Sequence, residues 1–149
     1  MAAVILILGY GNPLRGDDGF GWEAAQELAA KLDIPRVEVR ALHQLTPELA
    51  EDVGAAGRVI FIDAASEGEP GALVRREIFP APQADFTHHL TPATLLALAR
   101  QICGRTPPAL LYSVAGEFFG YGEGLSPRVE GALADLLRRL PAECGDISS

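Results

Sequence analysis

Residues Ala2 to Leu8 (AAVILIL) form an apolar run with no alternation of polar and apolar positions. A strand with that pattern is buried on both faces, which requires layers of structure on either side of its sheet. A second run of the same kind, Arg58 to Ile62 (RVIFI), is apolar throughout after its first residue. Between them, apolar residues recur at helical spacing from Asp18 to Leu32, at Phe20, Ala24, Ala25, Leu28 and Leu32. Val37 to Leu42 alternates as a strand, and Thr46-Pro47 opens a short helix with Thr46 as N-cap. After a turn over Ser66 to Gly71, Ala72 to Ile78 reads as a further strand. Thr91-Pro92 opens a helix over Ala93 to Ile102, Leu110 to Ala115 is a late strand, and Ser126-Pro127 caps a last helix to about Leu140. The tail, Pro141 to Ser149, is expected to be frayed.

Strands alternating with helices predict an α/β three-layer sandwich. Its mostly parallel twisted sheet has about five strands, flanked by helices and joined by right-handed crossovers. A length of 149 residues suits one domain, and no repeat, low-complexity tract or linker divides the chain. The composition, 48% hydrophobic and 21% charged, is globular. The net charge of −8 disfavours nucleic acid and anionic membranes as partners. Neither Cys103 nor Cys144 belongs to a C-x-x-C pair, so zinc and redox motifs find no support, and Cys103 is expected as a buried thiol on a helix. The first apolar run lacks a basic leader and is too short to span a bilayer, so the cytoplasm is the expected location.

In such sheets ligands gather at the carboxyl ends of the strands. Three segments qualify: Gly9 to Gly21, Asp63 to Gly71, and Thr87 to Pro92. The first, GYGNPLRGDDGFG, places Leu14 where a dinucleotide fingerprint needs its third glycine. Pro13 removes a donor there, and two carboxylates occupy the place of a phosphate. Asp17 or Asp18 at a helix start also suits a simple N-cap. Gly16 and Gly19 beside them, however, leave room for something to approach closely. Asp63 emerges where the third strand ends, either as a cap for the next turn or as a ligand. His88 and His89 precede a helix, and His43 in the loop after the second strand is a further candidate. Two carboxylates and an imidazole from separate loops would make a mixed oxygen–nitrogen site for a borderline divalent ion. There is no H-E-x-x-H, and Ser66 in Ala64-Ala65-Ser66-Glu67-Gly68 lacks the following helix that a nucleophile elbow needs.

The pattern G-x-G-N-x-L-x-x-D-D-G-x-G after an N-terminal strand, then a strand ending in Asp, then a His before a helix, resembles the hydrogenase maturation endopeptidases. The similarity runs from Val4 to about Leu140. It implies a peptidase that removes the C-terminal extension of a nickel–iron hydrogenase large-subunit precursor after nickel insertion. The nickel would be supplied by the substrate and gripped by Asp18, Asp63 and His88, with His89 the alternative to His88. The same three residues would carry the chemistry. Without nickel, repulsion between the two carboxylates is expected to raise one pKa. Glu117 to Pro127 resembles the family's last loop. Leu42 to Pro47 departs from it, because members often carry a glycine-rich stretch there. The rival from another class is a non-catalytic nickel-dependent chaperone of the same precursor. A monomer is expected, since the substrate supplies the large interface.

Overall fold

The computed structural model describes residues 3–82 and 90–145. Five strands, β1 (Ile5–Tyr10), β2 (Val37–Leu42), β3 (Arg58–Ala65), β4 (Leu73–Ile78) and β5 (Ala109–Ala115), form one sheet in the order β2-β1-β3-β5-β4. All neighbours pair in parallel except β4, which runs antiparallel to β5 at the edge. The helices are α1 (Phe20–Lys31), α2 (Ala50–Ala55), α3 (Pro92–Cys103) and α4 (Pro127–Gly145), with 3₁₀ turns at Gly16–Gly19 and Pro47–Leu49.

Alternation along each central strand assigns its side chains to two cores. Ile5 and Ile7 of β1, Ile60 and Ile62 of β3, and Leu110, Tyr112 and Val114 of β5 face α1 and α4 through Phe20, Leu28, Val129, Leu136 and Leu140. Leu6, Leu8, Val59, Phe61 and Leu111 face α2 and α3 through Val53, Leu95, Leu96 and Ala99. This is the three-layer α/β sandwich expected of strands that are apolar on both faces. β1 feeds β2 on one side and lies against β3 on the other, so the crevice between β1 and β3 at their carboxyl ends is a topological switch point.

Several boundaries differ from those read in the sequence. β1 does not stop at Leu8 but continues through Gly9 and Tyr10, and β3 runs past Asp63 to Ala65. Gly9 is a packing requirement rather than a stop. A Cβ there would collide with the carbonyl of Gly21, and one on Gly21 would meet those of Ile62 and Tyr10. The start of α1 therefore lies against β1 and β3 backbone to backbone. Gly21→Ala is expected to lower stability by about 2 kcal/mol or more despite alanine's better helix propensity, because the overlap is with backbone that cannot rotate away. Urea unfolding of the variant checks this; a neutral or stabilising result would contradict the packing.

The tail is not frayed as far as it is described. α4 continues through Pro141 to Gly145, and Glu143 and Cys144 are buried. Cys103 is exposed rather than buried, at the end of α3, while Cys144 is the buried thiol. Thr91 caps α3 in a capping box with Thr94, whereas Thr46 makes no side-chain cap bond. Among the described residues, no helix is long and apolar enough to cross a membrane.

Candidate active site

The loop after β1 folds on its own side chains. Asn12 accepts the amide of Leu14 through Oδ1 at 2.9 Å, and its own amide donates to Oδ2 of Asp18 at 2.9 Å. This explains both the asparagine and the second acid of the motif: together they close the loop and bring the Asp18 carboxylate to its mouth. Asp18 is half-buried and lines a cleft of about 800 Å³ at the carboxyl edge of β1 and β3.

Asp63 lines the same cleft. The register β1–β3 pairs Gly9 with Ile62, so Tyr10 stands beside Asp63, and the Tyr10 hydroxyl donates to Asp63 Oδ2 at 2.7 Å. Asp63 Oδ1 is buried and has no hydrogen-bonding partner among the described residues. A buried carboxylate oxygen without a donor costs free energy, so this atom is a vacancy in the satisfaction of the fold that a cation or an acidic proton would fill. Burial pushes the Asp63 carboxyl above its ordinary range; the Ser113 and Tyr10 hydroxyls and Arg76 oppose that, and Asp18 adds to it. A raised carboxyl was expected from the paired acids. Desolvation is the larger cause, and repulsion by Asp18 the smallest. Burial likewise raises the Tyr10 phenol, which remains a protonated donor.

The first acid of the pair has a different role. Asp17 is fully buried and makes no N-cap bond. Its Oδ2 accepts the amides of Glu117 (2.8 Å) and Phe118 (3.0 Å) and the Ser126 hydroxyl (2.8 Å), and its Oδ1 accepts the Ser126 amide (2.8 Å). These bonds lower its pKa in spite of burial. Asp17 thus ties the loop between β5 and α4 to the loop after β1. The room left by Gly16 and Gly19 is taken by the chain itself. A Cβ on Gly16, whose φ is +56°, would lie 2.6 Å from the Phe118 carbonyl, and one on Gly19 would lie 2.6 Å from Pro13.

Of the residues singled out in the sequence, Asp18, Asp63 and His43 line one cleft, joined by Leu90 and Phe119. His43 is exposed, and its ring sits 6.4 Å from that of Trp22. His88 and His89 lie outside the described residues, directly before Leu90. No cluster of three or more His, Cys, Asp and Glu with metal-holding geometry occurs among the described residues. Tyr10 was missed because Gly9-Tyr10-Gly11 reads as a break. The strand register was the signal that would have found it. Ser66 follows β3 in a bend without a helix, so no nucleophile elbow is built.

No family model matches the sequence, and no curated protein matches it. Solved structures do. Hydrogenase maturating endopeptidase HybD from E. coli superposes with a TM-score of 0.80 at 24% identity, over 97% of this chain and 94% of that one. The [NiFe] hydrogenase maturation protease HycI from Thermococcus kodakarensis gives 0.73 at 25% identity, over 95% and 92%. A hydrogenase 2 maturation peptidase from a Thaumarchaeota archaeon gives 0.72 at 25% identity, over 95% and 98%. Along nearly its whole length, the chain thus shares the fold of solved hydrogenase maturation proteases, with the Gly-Asn loop and Asp18 at the mouth of the cleft.

Proposed function

We propose that this peptidase removes the C-terminal extension of a nickel–iron hydrogenase large-subunit precursor, and that it recognises the nickel that the precursor already carries. The observation that supports this most is the buried Oδ1 of Asp63, without a partner among the described residues, in a cleft that Asp18 also lines. Carboxylate oxygens from the turn after β1 and from β3, joined by the imidazole of His88, suit a borderline divalent ion held in part by its own protein. The nickel is part of the substrate, and the three side chains report that it has been inserted.

Tyr10 is the positioning residue of this arrangement. By donating to Oδ2 it fixes the Asp63 carboxylate and leaves Oδ1 for the incoming group. Burial raises the Asp63 carboxyl, which favours its taking up a proton. Water attacks the scissile carbonyl carbon and gives its proton to Asp63 or Asp18, whichever carboxylate is free of the metal at that moment. The C–N bond then breaks, and the proton passes to the departing amine, so the carboxylate is regenerated.

Incubation with nickel-loaded precursor tests the reading. Shortening of the precursor by wild type, and its loss in Asp18→Ala, Asp63→Ala and His88→Ala, is the expected result. Stable binding of intact precursor without cleavage would replace the peptidase by a nickel-dependent chaperone. Normal processing by all three variants would overturn the site.

A further inference from the structure

Beside the cleft the molecule exposes three large apolar side chains from two segments remote in sequence. Leu14 is 56% exposed, Phe118 54% and Tyr121 87%. They share one shelf, because the segments are stitched together by their backbones. The Gly122 amide donates to the Leu14 carbonyl and the Gly16 amide to the Gly122 carbonyl, both at 2.9 Å, and the Asp17 amide donates to Phe118 at 2.8 Å. Arg15 donates through Nε to the Phe119 carbonyl at 3.2 Å, and its guanidinium lies 5.4 Å above the Tyr121 ring. The Phe118 ring rests over Gly16 and Gly120. Under the shelf sits the buried Asp17 with its four bonds.

A loop fixed this firmly presents apolar side chains whose ordering has already been met in folding, which is what a recognition surface requires. Exposed Tyr and Arg at its centre are the residue types that dominate binding energy at interfaces. The shelf is continuous with the cleft, since Leu14, Arg15 and Phe119 line both. Leu14 lines the cleft itself, and Phe118 and Tyr121 are stitched to it by the backbone bonds above, whereas Val4, Val74, Phe79 and Ile102 do not line the cleft. Glu117 and Glu123 are exposed on the same loop and would repel an acidic segment.

We propose that the shelf of Leu14, Phe118 and Tyr121 docks the precursor polypeptide next to its scissile bond, accepting an extended apolar segment without acidic side chains. This rests on the peptidase reading above. The role is binding and alignment, so its loss raises KM rather than lowering kcat.

The test uses Leu14→Ser, Tyr121→Ser and the double variant with nickel-loaded precursor, and Tyr121→Phe as the conservative control. Both side chains are exposed, so melting temperatures should match wild type. The double variant is expected to raise KM about tenfold or more with kcat retained, while Tyr121→Phe stays near wild type. An unchanged KM in the double variant overturns the shelf and leaves the peptidase reading standing. A wild-type dimer broken by Tyr121→Ser, with KM unchanged, does the same in favour of a second copy of this chain. If wild type leaves the precursor intact, the peptidase reading fails and the shelf is judged by binding of that precursor. About tenfold weaker binding by the double variant supports it; equal binding, or none by wild type, overturns it.

Discussion

Asp63→Asn is expected to slow processing of nickel-loaded precursor by about 10²-fold or more while the protein melts at or above the wild-type temperature. The two halves of this expectation come from one atom. Asp63 Oδ1 is buried with no donor among the described residues, and the cost of desolvating the charge outweighs the help it receives from Ser113, Tyr10 and Arg76. An isosteric amide removes the charge, keeps an acceptor for the Tyr10 hydroxyl and fills the same space. The reaction, in contrast, loses a proton acceptor and an anionic ligand that the amide cannot replace. Thermal melts and precursor cleavage on the same preparation separate the outcomes. A variant that melts far below wild type would mean that the carboxylate is structural. One that cleaves normally would mean that it is idle. Asp18→Asn is a less clean probe, because the Asp18 carboxylate also closes the loop through the Asn12 amide.

How much of this was legible depended on whether the cause was local. The apolar runs of β1 and β3 and the helical spacing of Phe20, Ala24 and Leu28 determine which faces are buried, and these give the three layers and their order. The rule that ligands gather at strand ends points to Asp18 and Asp63, which line one cleft. What failed depended on partners distant in sequence. Gly9 read as a strand break because its cause, the Gly21 carbonyl, belongs to a helix packed against it. Asp17 stayed open to a cap reading because its donors lie at Glu117, Phe118 and Ser126. Pro141 read as the end of a helix because proline forfeits a backbone hydrogen bond. Leu140 and Cys144 nevertheless fall one turn apart on the face that packs against the sheet, and Glu143 is seized by three side chains from the strands. Local signals set the elements, and long-range contacts moved their ends.

That last cluster carries a large, pH-dependent expected effect on stability. Glu143 is 8% exposed and accepts from Arg58 (3.1 Å), from Arg75 at both oxygens (2.5 and 3.2 Å) and from the Tyr112 hydroxyl (2.5 Å), while Arg58 also donates to its carbonyl. The Arg75 bond, foremost, lowers its pKa from 4.5 to about 2. An acid whose folded-state pKa lies below its unfolded value stabilises the fold when ionised. The contribution is therefore complete above about pH 4.5 and fades as pH falls toward 2. Arg75 is 40% exposed, so solvent screens part of the attraction. Glu143→Gln is then expected to cost about 2–3 kcal/mol at pH 7, since it leaves the two guanidinium groups facing a neutral amide. The difference from wild type should shrink steadily below pH 4.5, as the native carboxyl takes up its proton. Urea unfolding of both proteins at pH 7 and pH 3 measures it, and a gap that is absent at pH 7, or constant between the two, would contradict the assignment. Arg58 opens β3 while Asp63 lies five residues on at the cleft, so the cluster and the cleft occupy different ends of that strand. Below its melting temperature the variant should therefore cleave precursor as wild type does, which makes Glu143 a support of the fold and Asp63 a support of the chemistry.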